Sequence, residues 1–263
     1  MIRGLQVYIN SYICDVQMKR EQYNNPPIKE AIFTLHFNEN IDKDKLVLFR
    51  ESEFVKTELS IISPILNISL LNQSSSRQNQ SLVTSQKEEG YTLKKSEEEN
   101  NLVRVLPSHI SYHNFNKYAG WEGMFSDLQK IWLEFCKVIG ENALAKISVR
   151  YINQLALPNE SELSDYIKLL PSVPNGINAL NNFFIQIRVP SNDDILQGII
   201  TETMLPNVAD EKNEIFLIDL TVSKSAMFEC NSNDIWSSFN EIREFKNELF
   251  FNCITDKTIE LFN

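Results

Sequence analysis

Glycine is scarce in this chain, and its scarcity excludes one common class of site. Only seven glycines occur in 263 residues. None belongs to a glycine-rich fingerprint of the kind whose backbone amides hold phosphates. The sequence therefore gives no indication of a nucleotide site built on a glycine loop.

Cysteine and histidine are also few. The four cysteines lie far apart and do not follow the spacing of a metal site or a disulfide framework; they are Cys14, Cys136, Cys230 and Cys253. We interpret them as buried or half-buried thiols in a reducing compartment. With only three histidines and no paired cysteines, we expect no metal site and no other cofactor.

Positive charge is in deficit as well. The 25 basic residues against 35 acidic ones give a formal charge of −10, and the average field of such a chain repels nucleic acid and anionic membranes. No apolar run is long enough to span a bilayer, and residues 1–9 lack the apolar core of an export signal. We therefore expect a cytoplasmic protein without membrane association, for which nucleic acid is an unlikely partner.

The sequence does contain many strand-like alternations. Ala31, Phe33, Leu35 and Phe37 fall on one face of a first strand, and Glu30, Thr34 and His36 on the other. Further strands are predicted near 66–70, 90–95, 102–106, 109–113, 147–155, 183–189, 195–205 and 215–224. Residues 72–90 are too polar to bury and predict a mobile loop.

Two longer segments have helical periodicity. Residues 121–139 carry apolar side chains at spacings of three and four, and Gly140 is expected to end this helix. A short acidic helix is predicted after Pro158, to about Leu170. A last helix is predicted from the capping residues 231–234 to Leu261, with an apolar stripe wider than one face requires. That excess favours an oligomer or partner interface.

These elements predict an α+β fold, with amphipathic helices packed on one side of an antiparallel sheet. We expect an N-terminal arm at 1–23, a strand-rich half at 24–170 with the 121–139 helix, and a second strand-rich half at 171–263 with the C-terminal helix. The proline-broken connection at 171–182 marks the division. Each half ends in an apolar-striped helix, which suggests two similar halves.

Arg150 is the most informative polar residue because it interrupts a strong strand. A buried arginine needs a carboxylate partner, and Glu30 and Asp219 also interrupt apolar strands. We predict that the three side chains form an ion cluster that ties three strands together. The alternative is a recognition site for an anion, in which Arg150 donates through its planar fork.

His109 and His113 share a strand face with Ser111. The two imidazoles would lie about 13 Å apart by the rise per residue, which is too far for one zinc ion. A Ser–His–acid arrangement of Ser111 with His109 is conceivable, but no nucleophile-elbow glycine pattern surrounds a serine. We therefore interpret these histidines as ordinary exposed strand residues. Tyr118 and Trp121, which follow a loop at the start of the predicted helix, stand where a cleft would begin.

Five short motifs occur in an order that resembles a known family. They are Pro26-Pro27-Ile28-Lys29-Glu30-Ala31, Tyr118-Ala119-Gly120-Trp121-Glu122, Arg150-Tyr151-Ile152-Asn153, Ile218-Asp219-Leu220 and Ile254-Thr255-Asp256-Lys257. Together, from about residue 24 to the C-terminus, they resemble a sporadically distributed bacterial family of uncharacterised proteins. The acidic segment 97–99 and the N-terminal arm depart from the family pattern. The resemblance implies no activity or catalytic residue, and its scattered distribution is typical of mobile or defence-linked genes.

We therefore expect a non-enzymatic interaction protein. It would act as an accessory or regulatory subunit of a bacterial defence or toxin-linked system, and would bind a protein partner or itself through the C-terminal helix. One alternative is a small anionic-ligand sensor centred on Arg150. The other is a nucleic-acid-processing component, which would require four basic side chains to gather into one patch, namely Lys94, Lys95, Arg104 and Lys117.

Overall fold

The protein is an α+β structure built on one antiparallel sheet. The computed structural model describes residues 23–72, 82–115, 118, 120–140, 142–158, 162–172, 183–205 and 213–263. These ranges contain nine strands in one sheet and five α-helices, which confirms the predicted fold class. The predicted N-terminal arm lies, except for Tyr23, outside the described residues.

The strands are β1 (Ile28–Phe37), β2 (Ile61–Asn72), β3 (Leu82–Lys94), β4 (Asn101–Leu106), β5 (His109–Phe115), β6 (Leu144–Pro158), β7 (Phe184–Pro190), β8 (Leu196–Met204) and β9 (Asn213–Phe228). The helices are α1 (Lys43–Arg50), α2 (Glu53–Glu58), α3 (Trp121–Ile139), α4 (Asp234–Cys253) and α5 (Asp256–Glu260). A single 3-10 turn, Leu163–Asp165, stands where the short acidic helix was predicted, so that prediction was wrong in length and type.

The order of strands shows a repeated topology. Across the sheet it runs β2-β3-β4-β5-β1-β6-β9-β8-β7. In the first unit β1 lies beside β5 and α3 follows; in the second β6 lies beside β9 and α4 follows, while β1 and β6 pair antiparallel at the centre. By topology the second unit begins at β6. The division predicted near 171–182 falls mostly outside the described residues and stays a prediction.

The helices cover one face of the sheet because the apolar side of each strand faces them. The Phe33 ring lies 4.8 Å from that of Trp121 at the start of α3 and 5.7 Å from that of Phe239 in α4. Phe37 stacks on Phe135 at 5.6 Å between ring centres. Such aromatic pairs bury large areas, and they fix α3 and α4 above the central strands.

Several local predictions need correction. Residues 82–90 belong to β3 and not to a loop, because they pair with β2 along its length. The last helix does not continue to Leu261. It ends at Cys253, since Ile254 turns into an isolated bridge with Ile167 and Thr255 then caps α5 through its side chain.

The cysteines also differ from the prediction. Cys136 of α3 and Cys230 are joined as a disulfide, with Cα atoms 6.8 Å apart, so the interpretation of these two as thiols was wrong. The two cysteines are 94 residues apart in the sequence, so the sequence alone does not indicate that they are close in space. Cys253 is a buried free thiol, and Cys14 lies outside the described residues. Within the described ranges, no helix has the length and apolarity needed to cross a membrane.

Candidate functional site

The side of the sheet turned away from α1, α3 and α4 carries the polar side chains of the strands. Strand side chains alternate between faces, so the residues between the buried ones of β1 all point to this side. We call it the open face. Its central residues are Glu30, Ile32, Thr34 and His36 of β1, Arg104 of β4, His109, Ser111 and His113 of β5, Lys146, Ser148 and Arg150 of β6, and Asp219, Thr221 and Ser223 of β9.

The open face is rich in positive charge, unlike the chain as a whole. Two acids, Glu30 and Asp219, lie on this face in the strands counted here. These strands are β1 from Glu30 onward, β3 from Tyr91 onward, and β4 to β9. The same strands place five basic residues there, namely Lys94, Arg104, Lys146, Arg150 and Arg188. All three histidines of the sequence lie there too. A protein of formal charge −10 thus has one face where basic groups outnumber acidic ones.

Arg150 and Asp219 form the ion pair that the sequence predicted. Arg150 Nε lies 2.9 Å from Asp219 Oδ1, and its Nη2 lies 2.6 Å from Oδ2, so the pair is held at two points across β6 and β9. The hydrogen bonds to Asp219 raise the pKa of Arg150. This geometry is the planar, two-point recognition typical of arginine and carboxylate.

Glu30 does not complete that cluster. Its Oε1 lies 2.9 Å from His113 Nδ1, and His113 Nε2 lies 2.9 Å from the hydroxyl of Ser111. Ser111 and His113 are buried, with exposed fractions of 3% and 4%, so the interpretation of His113 as an exposed strand residue was wrong. Burial lowers the pKa of His113, and the hydrogen bond that its Nδ1–H donates to Glu30 opposes that effect. The charge of Glu30 still acts on Arg150, but in its contacts the predicted three-strand cluster is one ion pair beside a separate acid–imidazole–hydroxyl chain.

His36 and His109 form a second polar group on the open face. Their ring centres are 5.7 Å apart. His36 Nε2 lies 3.1 Å from the Ser148 hydroxyl, and His109 Nδ1 lies 2.9 Å from the Ser108 hydroxyl. Burial and the charge of Lys146 lower the pKa of His36 to about 4. Burial, Arg104 and Lys146 also lower the pKa of His109.

Sequence reasoning included His109 but missed His36, Ser148 and Lys146 as site residues. The strand alternation of β1 already places His36 on the face of Glu30, which is a usable signal. Lys146 and Ser148 lie opposite His36 and Thr34 in the ladder. That proximity depends on which strand pairs with β1, which the sequence does not state.

Tyr118 and Trp121 lie on the helix side and not on the open face. The hydroxyls of Tyr118 and Tyr151 are 2.8 Å apart. Trp121 is buried, and the guanidinium of Arg243 lies 4.9 Å from its ring centre. These residues therefore join α3, α4 and β6 and are separate from the Arg150 site.

The basic side chains of the nucleic-acid alternative are only partly placed together. Lys94 and Arg104 are near neighbours on the paired strands β3 and β4. Lys95 follows the end of β3, and Lys117 lies outside the described residues. Within the described ranges, no three His, Cys, Asp or Glu side chains are placed so that they could hold a metal ion.

The central residues of the open face line neither of two small surface cavities. One, of about 160 Å³, is lined by residues around the disulfide, including Leu133, Cys136 and Cys230. The other, of about 180 Å³, lies where Pro26 and Pro27 meet Leu261 and Phe262. The second cavity reaches the end of the open face through Gln154 and Ala156 of β6, whereas the centre of the face is a broad polar surface.

No family model matches the chain, and no curated protein matches it. The proposed function therefore rests on the geometry described above. The resemblance to a sporadically distributed bacterial family stays a prediction.

Proposed function

We propose that the protein is an interaction protein that binds an acidic segment of a partner protein on its open face. The observation that carries this proposal is the charge separation: five basic residues and two acids on one face of a chain with formal charge −10. Complementary charge steers association and selects partners. A role as an accessory subunit in a bacterial defence system is consistent with the motif resemblance and belongs to the same proposal.

The shape and chemistry of the face favour a polypeptide partner. It offers hydroxyl, imidazole and guanidinium groups, and its central residues line neither of the two cavities named above. Nucleic-acid-binding sheets present aromatic rings on which bases stack. Here Phe115 is half-buried against His113, and Phe184 lies on the far edge strand β7.

The predicted interface on the C-terminal helix is a weaker candidate. Some of the apolar side chains in excess of one face make contacts within the protein, since Phe250 packs against Phe251 and Phe262. Self-association through this helix stays a prediction.

The test is binding of a fluorescent poly-glutamate peptide at about 0.05 M and about 0.3 M salt, where screening differs strongly. We expect binding that weakens with salt and falls at least about fivefold when Arg104→Gln and Lys146→Gln are combined, because each removes a charge from the face. Lys137→Gln, an exposed charge on α3, is the matched control and should change little. Equal loss in the control, or no binding at low salt, would overturn the proposal. Tighter binding of single-stranded DNA than of the peptide would favour the nucleic-acid alternative.

Acyl transfer at Ser111 is a second candidate function. The Glu30–His113–Ser111 chain has the connectivity of a Ser–His–acid triad, with 2.9 Å between each pair of atoms. In such a step, Ser111 Oγ attacks an ester carbonyl, His113 Nε2 takes the hydroxyl proton and gives it to the leaving alcohol, and water then releases the acid. We place it second because the strand ladders on both sides of β5 already engage the backbone amides that would form an oxyanion hole.

Labelling with a fluorophosphonate, read by intact mass, tests this second function. Ser111 labelling that disappears in Ser111→Ala and His113→Gln, and persists in Ser148→Ala, would support it. An unlabelled native protein would remove it.

A further inference from the structure

We infer that His36, His109, Arg104 and Lys146 form a subsite of the open face for a phosphoryl group, and that the subsite binds this group more tightly as the pH falls. The inference rests on the proposed function, because it names the chemical group of a partner that this part of the face would recognise.

The strand register brings the four side chains together. His36 and His109 are directly opposed across β1 and β5, with ring centres 5.7 Å apart. Lys146 is opposite His36 on the other neighbouring strand, β6. Arg104 is the diagonal neighbour of His109 on β4, since Leu106 pairs with His109, and diagonal neighbours are within reach of long side chains. Four adjacent strands thus contribute one cationic or protonatable group each.

The electrostatic environment of this subsite is positive. Arg104 and Lys146 both act on His109, and Lys146 acts on His36; in each case the charge adds to burial in lowering the pKa. The acids on the same face are engaged further along the strands, Glu30 with His113 and Asp219 with Arg150. An anion bound over the two imidazoles would therefore meet a positive potential that the acids of the described strands, each engaged elsewhere, do not offset.

A phosphoryl group matches the number of charges and donors. It carries about −1.5 to −2 charges at neutral pH and three strong acceptor oxygens, whereas a carboxylate carries one charge. The guanidinium of Arg104 can bind two oxygens in its plane. The hydroxyls of Ser148 and Ser108, already in contact with the two imidazoles, are further donors.

The pH dependence follows from linkage. A bound dianion favours the protonated imidazoles and raises their pKa values from the lowered values of the free protein. Protons are then taken up on binding, so affinity rises as the pH falls, by up to about tenfold per pH unit for each proton. Because a phosphomonoester gains a proton near pH 6, and inorganic phosphate also changes its charge within the range tested, sulfate is the probe of constant charge.

The experiment is titration of the protein with inorganic sulfate and with inorganic phosphate at about pH 5.5, 6.5 and 7.5. These pH values lie on both sides of the ordinary pKa of histidine. The imidazole C2–H signals are followed by NMR. His36→Gln and His109→Gln assign the signals. We expect the His36 and His109 signals to report tighter sulfate binding at lower pH, and Arg104→Gln to weaken it at least about fivefold. Arg188→Gln is the matched control, because Arg188 carries the same charge on the same face but lies on the edge strand β7.

Two results would overturn the inference: sulfate affinity that does not change with pH, or the same loss in Arg188→Gln as in Arg104→Gln. A phosphoserine peptide compared with its unphosphorylated form, and with free phosphate, shows whether the group is recognised on a polypeptide or as a small ion. If poly-glutamate binds the open face while sulfate and phosphate do not, the subsite fails and the proposed function stands.

Discussion

Lys246 of α4 lies over the ring of Tyr151 of β6, with its Nζ 3.8 Å from the ring centre. Both residues are buried, and the Tyr151 hydroxyl is bonded to that of Tyr118. Burial, together with the charge of Arg243, lowers the pKa of Lys246 to about 7. A lysine that in water would hold its proton to much higher pH is therefore close to losing it inside this protein.

Replacement of Lys246 by Met should stabilise the protein near neutral pH. The pKa of Lys246 is lowered on folding, so the unfolded chain binds the proton more tightly and stability rises with pH from about 7 to about 10. At about pH 6.5 we expect Lys246→Met to raise the free energy of unfolding by about 1–3 kcal/mol, because the lost cation–π contact offsets part of the gain. Urea unfolding at about pH 6.5 and about pH 9.5 measures it, and the gain should shrink at the higher pH. Lys137→Met on the surface of α3 is the control; an equal effect there would contradict the explanation.

Glu202 of β8 predicts the opposite pH dependence. It is fully buried under α4 beside Cys253, and burial raises its pKa to about 7. The folded protein then holds the proton more tightly than the unfolded chain, so this contribution to stability is full below about pH 4.5 and is lost as pH rises through about 7. Glu202→Gln should therefore be more stable than the native protein by about 1–3 kcal/mol at about pH 8, and by much less at about pH 5.

Denaturant unfolding at those two pH values tests the Glu202 prediction. Glu248→Gln, an exposed acid on α4, should show no such difference. A Glu202→Gln protein that is less stable than native at the higher pH would mean that the carboxylate is needed in its charged form.

The parts of the fold that the sequence predicted are those with strong one-sided patterns. The limits of α3 follow from its apolar spacing and from Gly140, whose φ of 83° suits a helix end. The first half of β3 was missed because its residues, Thr-Ser-Gln-Lys-Glu-Glu, have no apolar alternation. Pairing with β2 places them in the sheet, and Lys43 and Arg50 of α1 contact Glu88. The site was predicted in part for a related reason. Alternation assigns Glu30 to a face, and the register places both His113 on β5 and Arg150 on β6 diagonally from it. Only the side-chain contacts show that Glu30 is bonded to His113 while Arg150 is bonded to Asp219.

The Arg150–Asp219 pair should contribute modestly to stability. Two-point geometry favours it, but the Arg150 side chain is 47% exposed, and exposed pairs are worth about 0–1 kcal/mol. A double-mutant cycle with Arg150→Gln and Asp219→Asn should give a coupling energy of about 1 kcal/mol at low salt and less at high salt. A coupling above about 3 kcal/mol would place the pair in a more buried setting than the structure shows.

Two glycines make a matched pair for testing the packing of β3 against β4. A Cβ at Gly90 would overlap the carbonyl oxygen of Val105, a backbone atom that cannot move without disturbing the ladder. A Cβ at Gly123, on the exposed side of α3, meets nothing within 4 Å. Gly90→Ala should therefore destabilise the protein by about 2 kcal/mol or more, while Gly123→Ala should stabilise it by up to about 1 kcal/mol through helix propensity. Thermal and urea unfolding of both variants against the native protein give the answer. If Gly90→Ala proves as stable as the native protein, the close approach of β3 and β4 at this point is wrong, and with it the position of Arg104 relative to Lys94 on the open face.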